Sequence, residues 1–181
     1  MRLLRQAAIT LGGTILLSTT AVAAPEQQAA AFMEIYSTHC LKYLHDFDGL
    51  RNQLKTVPQL PAEKAAMFLQ GAKGGAWLMP SQHGQFVLVV HADKNLCALY
   101  AKTVPAAAAQ AMFEKVVGKA PTPFQSERKR NTSDKGPDGV KHTVAYEWST
   151  EKSPRKPLFA LTTTTSKSSV AQGVATAAIG H

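Results

Sequence analysis

The chain has 181 residues, of which 45% are hydrophobic and 18% are charged, and its formal net charge is +8 at pH 7. This composition excludes a disordered acidic or basic tail, and it excludes a protein built from several apolar membrane helices. A chain of this length is expected to form one domain with a single core.

The first 23 residues have the pattern of a cleaved secretory signal peptide. Arg2 and Arg5 are basic, residues 7–17 are apolar, and residues 21–23 have the Ala-Val-Ala sequence of a cleavage site. The apolar segment is too short for a bilayer, which needs about 20 residues. The two arginines are not adjacent, as a twin-arginine signal requires, and no cysteine for lipid attachment stands at the cleavage site. We therefore expect export and a mature domain of residues 24–181, whose formal charge falls from +8 to +6 with the loss of these two arginines.

Cys40 and Cys97 are the two cysteines of the chain. An even number of cysteines without metal-ligand spacing indicates a disulfide in an oxidising compartment. A reactive thiol and a metal ligand are the alternatives, but neither has a C-x-x-C or Cys/His signature here. His39 is adjacent to Cys40, and neighbouring helical residues point about 100° apart, so the two do not form a nucleophile and its base. We predict a Cys40–Cys97 disulfide.

The mature chain opens with apolar residues at the spacing of an α-helix, which predicts a helix over residues 26–47. Cys40 lies on its apolar face, so the disulfide would hold that face against the segment that carries Cys97. This face consists of Phe32, Tyr36, Cys40, Tyr43, Leu44 and Phe47.

Two shorter helices are predicted next. The first begins near Asp48, a candidate N-cap, and ends at Pro58. The second covers residues 62–70, with Pro61 in its first turn and Gly71 as its C′ residue.

Beyond residue 75 the apolar pattern is that of β-strands, interrupted by one further helix over residues 106–117. Residues 168–181 are small, and they fit a strand, a helix or a flexible tail. This order predicts an α+β fold in which the N-terminal helices and one central helix pack on a largely antiparallel sheet. Strands are predicted at residues 76–79, 85–92, 96–103, 140–149 and 158–165, and the first three form a meander.

The densest charge lies in residues 119–156, a strand-like region that contains Arg128, Lys129 and Arg130. Arg128 and Arg130 are expected to share one face of a strand while Lys129 points away. With Arg155 and Lys156 these residues are candidates for binding an anion. The alternative is a solvated hairpin whose cations protect a sheet edge. No aromatic residues alternate with these cations, so we do not expect nucleic acid as a partner.

Tyr146 and Trp148 share an apolar strand face and belong to the predicted core. No such pattern places Trp77 in the core, so Trp77 is a candidate anchor for a partner protein. His45 and Asp48 could meet at a helix end, but two ligands are too few for a zinc site. The sequence contains no G-x-S-x-G elbow, no H-E-x-x-H motif, no P-loop and no dinucleotide-binding fingerprint. We predict no catalytic residue, no metal site and no cofactor.

One part of the chain resembles a known group of proteins. It consists of Leu60-Pro61, Ala65, Phe68-Leu69, Gly71, Gly74 and Ala76-Trp77, followed by Phe86-Val87-Leu88 and Leu96-Cys97-Ala98. This pattern resembles small proteobacterial envelope proteins of undetermined function, some of them lipid-anchored, and it covers about half of the chain. The resemblance implies a Gram-negative periplasm, and it implies no catalytic or binding residue. With the signal-like leader, we expect a periplasmic or secreted protein.

These observations favour a binding protein. We expect a periplasmic protein that binds another envelope or secreted protein, as an inhibitor, an immunity protein or an accessory of an envelope machine. The first alternative is that the basic hairpin binds an anionic envelope component such as a phosphorylated glycolipid. The second is a hydrolase, which would need a pocket with His45 or His142 beside a carboxylate. The sequence does not determine the oligomeric state.

Overall fold

The computed structural model describes residues 25–152 and 154–180, so the predicted signal peptide lies outside the described residues. The fold is α+β, as predicted. The helices are α1 (Pro25–Tyr36), α2 (Phe47–Gln53), α3 (Ala62–Leu69) and α4 (Ala106–Val117), with a π-helical turn at Ser37–Leu41 and a 3-10 turn at Leu54–Thr56. The strands are β1 (Gly74–Met79), β2 (Phe86–His91), β3 (Leu96–Ala101), β4 (Gln125–Gly136), β5 (Gly139–Ser149), β6 (Pro157–Thr164) and β7 (Gly173–Ile179).

The seven strands form one antiparallel sheet in the order β1-β2-β3-β7-β6-β5-β4. Strands β1 to β3 are the predicted meander, and β4 to β6 form a second meander. The last strand in the chain, β7, pairs with β3 on one side and β6 on the other. The segment whose conformation the sequence left open therefore joins the two halves of the sheet.

Helices α1 and α4 pack together on one face of the sheet and bury the main core. The Phe113 ring lies between the rings of Tyr36 and Tyr146, with centroid distances of 6.0 and 6.4 Å. Two polar atoms on the same face are satisfied by carbonyl groups, because the Tyr36 hydroxyl donates to Thr176 at 2.8 Å and the Trp148 indole donates to Val117 at 2.7 Å. Buried aromatic groups are thus placed without loss of their hydrogen bonds.

The predicted disulfide is confirmed. Cys40 in the π-helical turn is bonded to Cys97 in β3, with the two Cα atoms 5.4 Å apart, and both residues are fully buried. The bond links the N-terminal helical segment to a strand in the middle of the sheet.

The predicted helix over residues 26–47 is wrong at its end, because helical structure stops at Leu41 and α2 begins at Phe47. The N-cap of α2 is Asp46, whose carboxylate accepts the Gly49 N–H at 2.8 Å, and not Asp48. A side-chain acceptor at this position stabilises a new helix start, and it lets Phe47 enter the core from a separate helix.

The second face of the sheet is only partly covered. Helix α3 packs there against β1 and β2. Residues paired across antiparallel strands share a face, so one row of partners follows this face across the whole sheet. That row is Ala76, Val89, Ala98, Thr176, Ala160, Ala145 and Arg130. Strands β4 to β7 lie beyond α3, and we call their second face the open face.

None of the helices in the described residues is long and apolar enough to cross a membrane.

Candidate binding sites

The basic triplet lies on β4, which is an edge strand of the sheet. Arg128 pairs with Tyr146, whereas Arg130 pairs with Ala145, because a bulge at Lys129 shifts the register by one residue. Tyr146 and Ala145 are neighbours in β5 and point to opposite faces. The prediction that Arg128 and Arg130 share a face is therefore wrong, since the extra residue of the bulge separates them.

Lys129 in β4 and Lys156, just before β6, have acidic neighbours. The Lys129 ammonium lies 2.6 Å from a carboxylate oxygen of Glu127 and 3.6 Å from one of Glu147, and the Lys156 ammonium lies 3.3 Å from Glu147. The hydrogen bond that the Lys129 ammonium donates to the Glu127 carboxylate is the main reason that the pKa of Lys129 is raised. A bulged edge strand with paired charges is typical of an edge protected against strand addition. The hairpin geometry favours this interpretation over an anion site.

Arg155 lies elsewhere, in a cleft that the hairpin triplet does not line. We call it the basic cleft. It has a volume of about 310 Å³ and lies between the segment around α2, the turn from β2 to β3 and the end of β7. Its cations are Arg51, Lys94 and Arg155, and its other side chains include His45, Asp48, Phe47, Phe124 and Ile179.

Arg51 is held in the basic cleft by two contacts. Its Nη1 donates to the His91 carbonyl at 2.9 Å, and its Nη2 forms an ion pair with Asp48. Arg51 and Lys94 were not predicted as site residues. They are far apart in the sequence and belong to no motif, and only the packing of α2 beside the turn from β2 to β3 brings them to the same cleft.

His91 lines the basic cleft and a second cleft beside the end of α3. It is 7% exposed, and its Nδ1 is buried without a hydrogen-bond partner among the described residues. Burial lowers the pKa of His91, and the positive charge of Lys94 lowers it further, while Asp93 opposes them. His91 is therefore favoured in its neutral form.

Trp77 is a buried residue of β1. It is 6% exposed in the main core, and residues 58–60 cover the outer edge of β1 through backbone hydrogen bonds to β1 and a bridge from Gln59 to Trp77. The segment before α3 thus closes this edge, and the anchoring of a partner by Trp77 stays a prediction.

A groove on the second face of the sheet was not predicted. It has a volume of about 340 Å³ and runs where α3 ends and the open face begins. Tyr100 forms part of its lining and is fixed by an edge-on contact with Phe68 at 5.1 Å and by its hydroxyl, which lies 3.5 Å from the Phe68 carbonyl. We call it the open-face groove, and it is lined by Met67, Tyr100, Lys141, Thr162, Val170 and Val174, among others.

No protein-family model, curated protein or solved structure matches this chain.

The two histidines of the hydrolase alternative lie in different places. His142 is 2.8 Å from the amide oxygen of Asn131 on the hairpin, whereas His45 lines the basic cleft. Asp48 lines the same cleft, but its carboxylate is paired with Arg51. Among residues 25–152 and 154–180, no group of three or more His, Cys, Asp or Glu side chains is placed to hold a metal ion.

Proposed function

We propose that this protein is an exported periplasmic binding protein that recognises another envelope or secreted protein through its open face. The open-face groove carries the proposal. Its walls include two exposed apolar side chains, Met67 at 54% and Val170 at 49% exposure, over a fixed aromatic ring, Tyr100. Exposed apolar side chains around a preformed groove are typical of the centre of a protein interface.

The distribution of exposed apolar residues supports the same face. Five large hydrophobic residues of the described chain are exposed. Met67 and Val170 line the groove, Leu78 follows Ala76 by two residues in β1, and Leu158 precedes Ala160 by two residues in β6. All four therefore belong to the second face, and only the fifth, Val140, does not.

The middle of the open face carries small side chains. Thr132, Thr143, Thr162 and Val174 form one cross-strand row, in which the hydroxyls of Thr143 and Thr162 are 3.0 Å apart. Four strands about 4.8 Å apart, taken over the roughly seven residues that pair between β5, β6 and β7, give an area of roughly 400 Å². A standard complex buries about 800 Å² on each partner, so α3 and the groove must contribute to a stable interface.

Charge indicates an acidic partner. The chain has a formal charge of +8, or +6 without the two arginines of its first 23 residues, so two copies repel each other. Lys141 lines the groove and can meet a carboxylate beside the apolar side chain that enters it. We infer that the partner presents an apolar side chain flanked by Asp or Glu.

The setting is part of the proposal. The signal-like leader and the resemblance to small proteobacterial envelope proteins support the periplasm of a Gram-negative bacterium, and a disulfide is compatible with that compartment. In this setting, a protein that binds an acidic partner fits the role of an inhibitor, an immunity protein or an accessory of an envelope machine.

The test is a pull-down from periplasmic extract with the oxidised protein of residues 24–181. We expect a stoichiometric acidic partner that is lost with Met67→Glu and with Val170→Glu. Val140→Glu is the matched control, because Val140 is also an exposed apolar residue, at 37%, and points to the other face.

Two results would contradict the proposal. One is a partner that binds the groove variants and the control equally. The other is self-association in sedimentation experiments that the groove variants abolish, because the occupant of the face would then be a second copy.

A further inference from the structure

We propose that the basic cleft binds a small organic anion, a carboxylate or phosphate attached to a compact apolar group. The cleft is separate from the open-face groove, and the two share no lining residue. Its volume of about 310 Å³ is at the lower end of the range for small-molecule sites.

The cations of the cleft come from three separate parts of the chain. Arg51 belongs to α2, Lys94 to the turn from β2 to β3, and Arg155 to the loop before β6. Lys94 takes part in none of the ion pairs found among the described residues. It nevertheless acts on the interior, since its charge helps to lower the pKa of His91. Cations that line a concave site attract anions.

The acidic side chains of the cleft are already engaged. The Asp46 carboxylate accepts the Gly49 N–H at the start of α2, and the Asp48 carboxylate is paired with Arg51. Capping and pairing direct both carboxylates to the protein's own donors, which reduces their repulsion of an incoming anion.

Arg51 is prepared to bind such a group. A guanidinium has five N–H donors, and its two contacts, with His91 and Asp48, do not use all of them. These contacts fix the planar group before a ligand arrives, so binding loses less side-chain freedom.

Part of the lining of the cleft is apolar. Phe47 is buried, and Phe124 and Ile179 are half-buried, with the Phe124 ring 6.4 Å from that of Trp148. Cations and aromatic rings in one small cleft fit a ligand that has both a charge and an apolar body. This combination defines the ligand class.

The test is isothermal titration of the oxidised protein of residues 24–181 with four probes: phenyl phosphate, benzoate, inorganic phosphate and benzyl alcohol. We expect phenyl phosphate and benzoate to bind at least 10-fold more tightly than inorganic phosphate, which lacks the apolar body, and benzyl alcohol to give no measurable binding. Affinity should fall as salt is added.

The variants locate the site. Arg51→Gln should weaken phenyl phosphate binding at least 10-fold. Because this change also removes contacts to His91 and Asp48, Lys94→Gln is the second variant, and it should weaken binding about threefold without loss of folding. Arg130→Gln is the matched control on the exposed hairpin and should leave the affinity unchanged.

The source of the anion is tested with vesicles. Flotation with phosphatidylglycerol vesicles that is lost in Arg51→Gln and Lys94→Gln identifies a lipid head group, whereas binding to the soluble probes alone identifies a small solute. Benzyl alcohol binding as tightly as benzoate, or unchanged affinity in both cleft variants, would overturn the proposal. The cleft variants should retain the protein partner, so the two proposals can fail separately.

Discussion

Removing the covalent link between Cys40 and Cys97 should destabilise the protein substantially. The two cysteines are separated by 57 residues in the sequence. In the chain-entropy model, opening a loop of that length costs about 4 kcal/mol, because the unfolded chain gains freedom that the bond denied it. This is a large part of the roughly 5–15 kcal/mol that stabilises a typical domain.

The assay is urea unfolding followed by the fluorescence of Trp77 and Trp148, which lie in opposite halves of the sheet. Oxidised protein, reduced protein and a Cys40→Ala/Cys97→Ala variant are compared. The difference between oxidised and reduced protein isolates the effect of the cross-link, because both forms keep the buried sulfur atoms. The double variant adds the cost of removing those atoms.

We expect a difference of about 4 kcal/mol between the oxidised and reduced proteins, and a somewhat larger one for the double variant. A difference below about 1 kcal/mol between oxidised and reduced protein would refute the reasoning, because the link would then not limit the unfolded chain.

Three further predictions concern packing, capping and pH. Phe113→Ala should lower the free energy of unfolding by about 3–5 kcal/mol, because the fully buried ring contacts both Tyr36 and Tyr146, and a loss below about 1 kcal/mol in urea unfolding would contradict this. Asp46→Ala should lower the free energy of unfolding by about 1 kcal/mol through loss of the α2 cap, whereas Asp46→Asn should retain most of the stability that the cap provides. The pKa of His91 is lowered in the folded protein from its ordinary value of 6.5. As the pH falls below 6.5, the unfolded chain therefore protonates this histidine before the folded protein does, and the free energy of unfolding decreases. His91→Gln should flatten this part of the stability curve, and an unchanged pH profile would show that His91 does not cause the loss.

Proline, glycine and other turn residues at the ends of elements made several of these elements predictable. Helix α4 has the predicted bounds, because Pro105 precedes it and Gly118 follows it. The first meander was predictable because turn residues separate its apolar strands. The end of the first helix was not, since Tyr43, Leu44 and Phe47 continue the helical spacing across the break. Spacing alone does not show that a capping aspartate starts a new helix.

The candidate sites depend on contacts between distant parts of the chain, which the sequence does not specify. The bulge at Lys129 has no glycine to mark it, yet it separates Arg128 from Arg130. Arg51 and Lys94 line the same cleft only because α2 packs beside the turn from β2 to β3. The open face could not be predicted either. Alternating threonine and apolar residues predict a strand, but they do not show which face of the sheet a helix covers.

The place of β7 has a consequence for the order in which the molecule can be completed. Until residues 173–179 are available, the two meanders have no strand to join them, and the facing backbone edges of β3 and β6 lack partners. A chain synthesised from its N-terminus therefore cannot close the sheet before this strand has been made, and the two meanders stay unjoined until then.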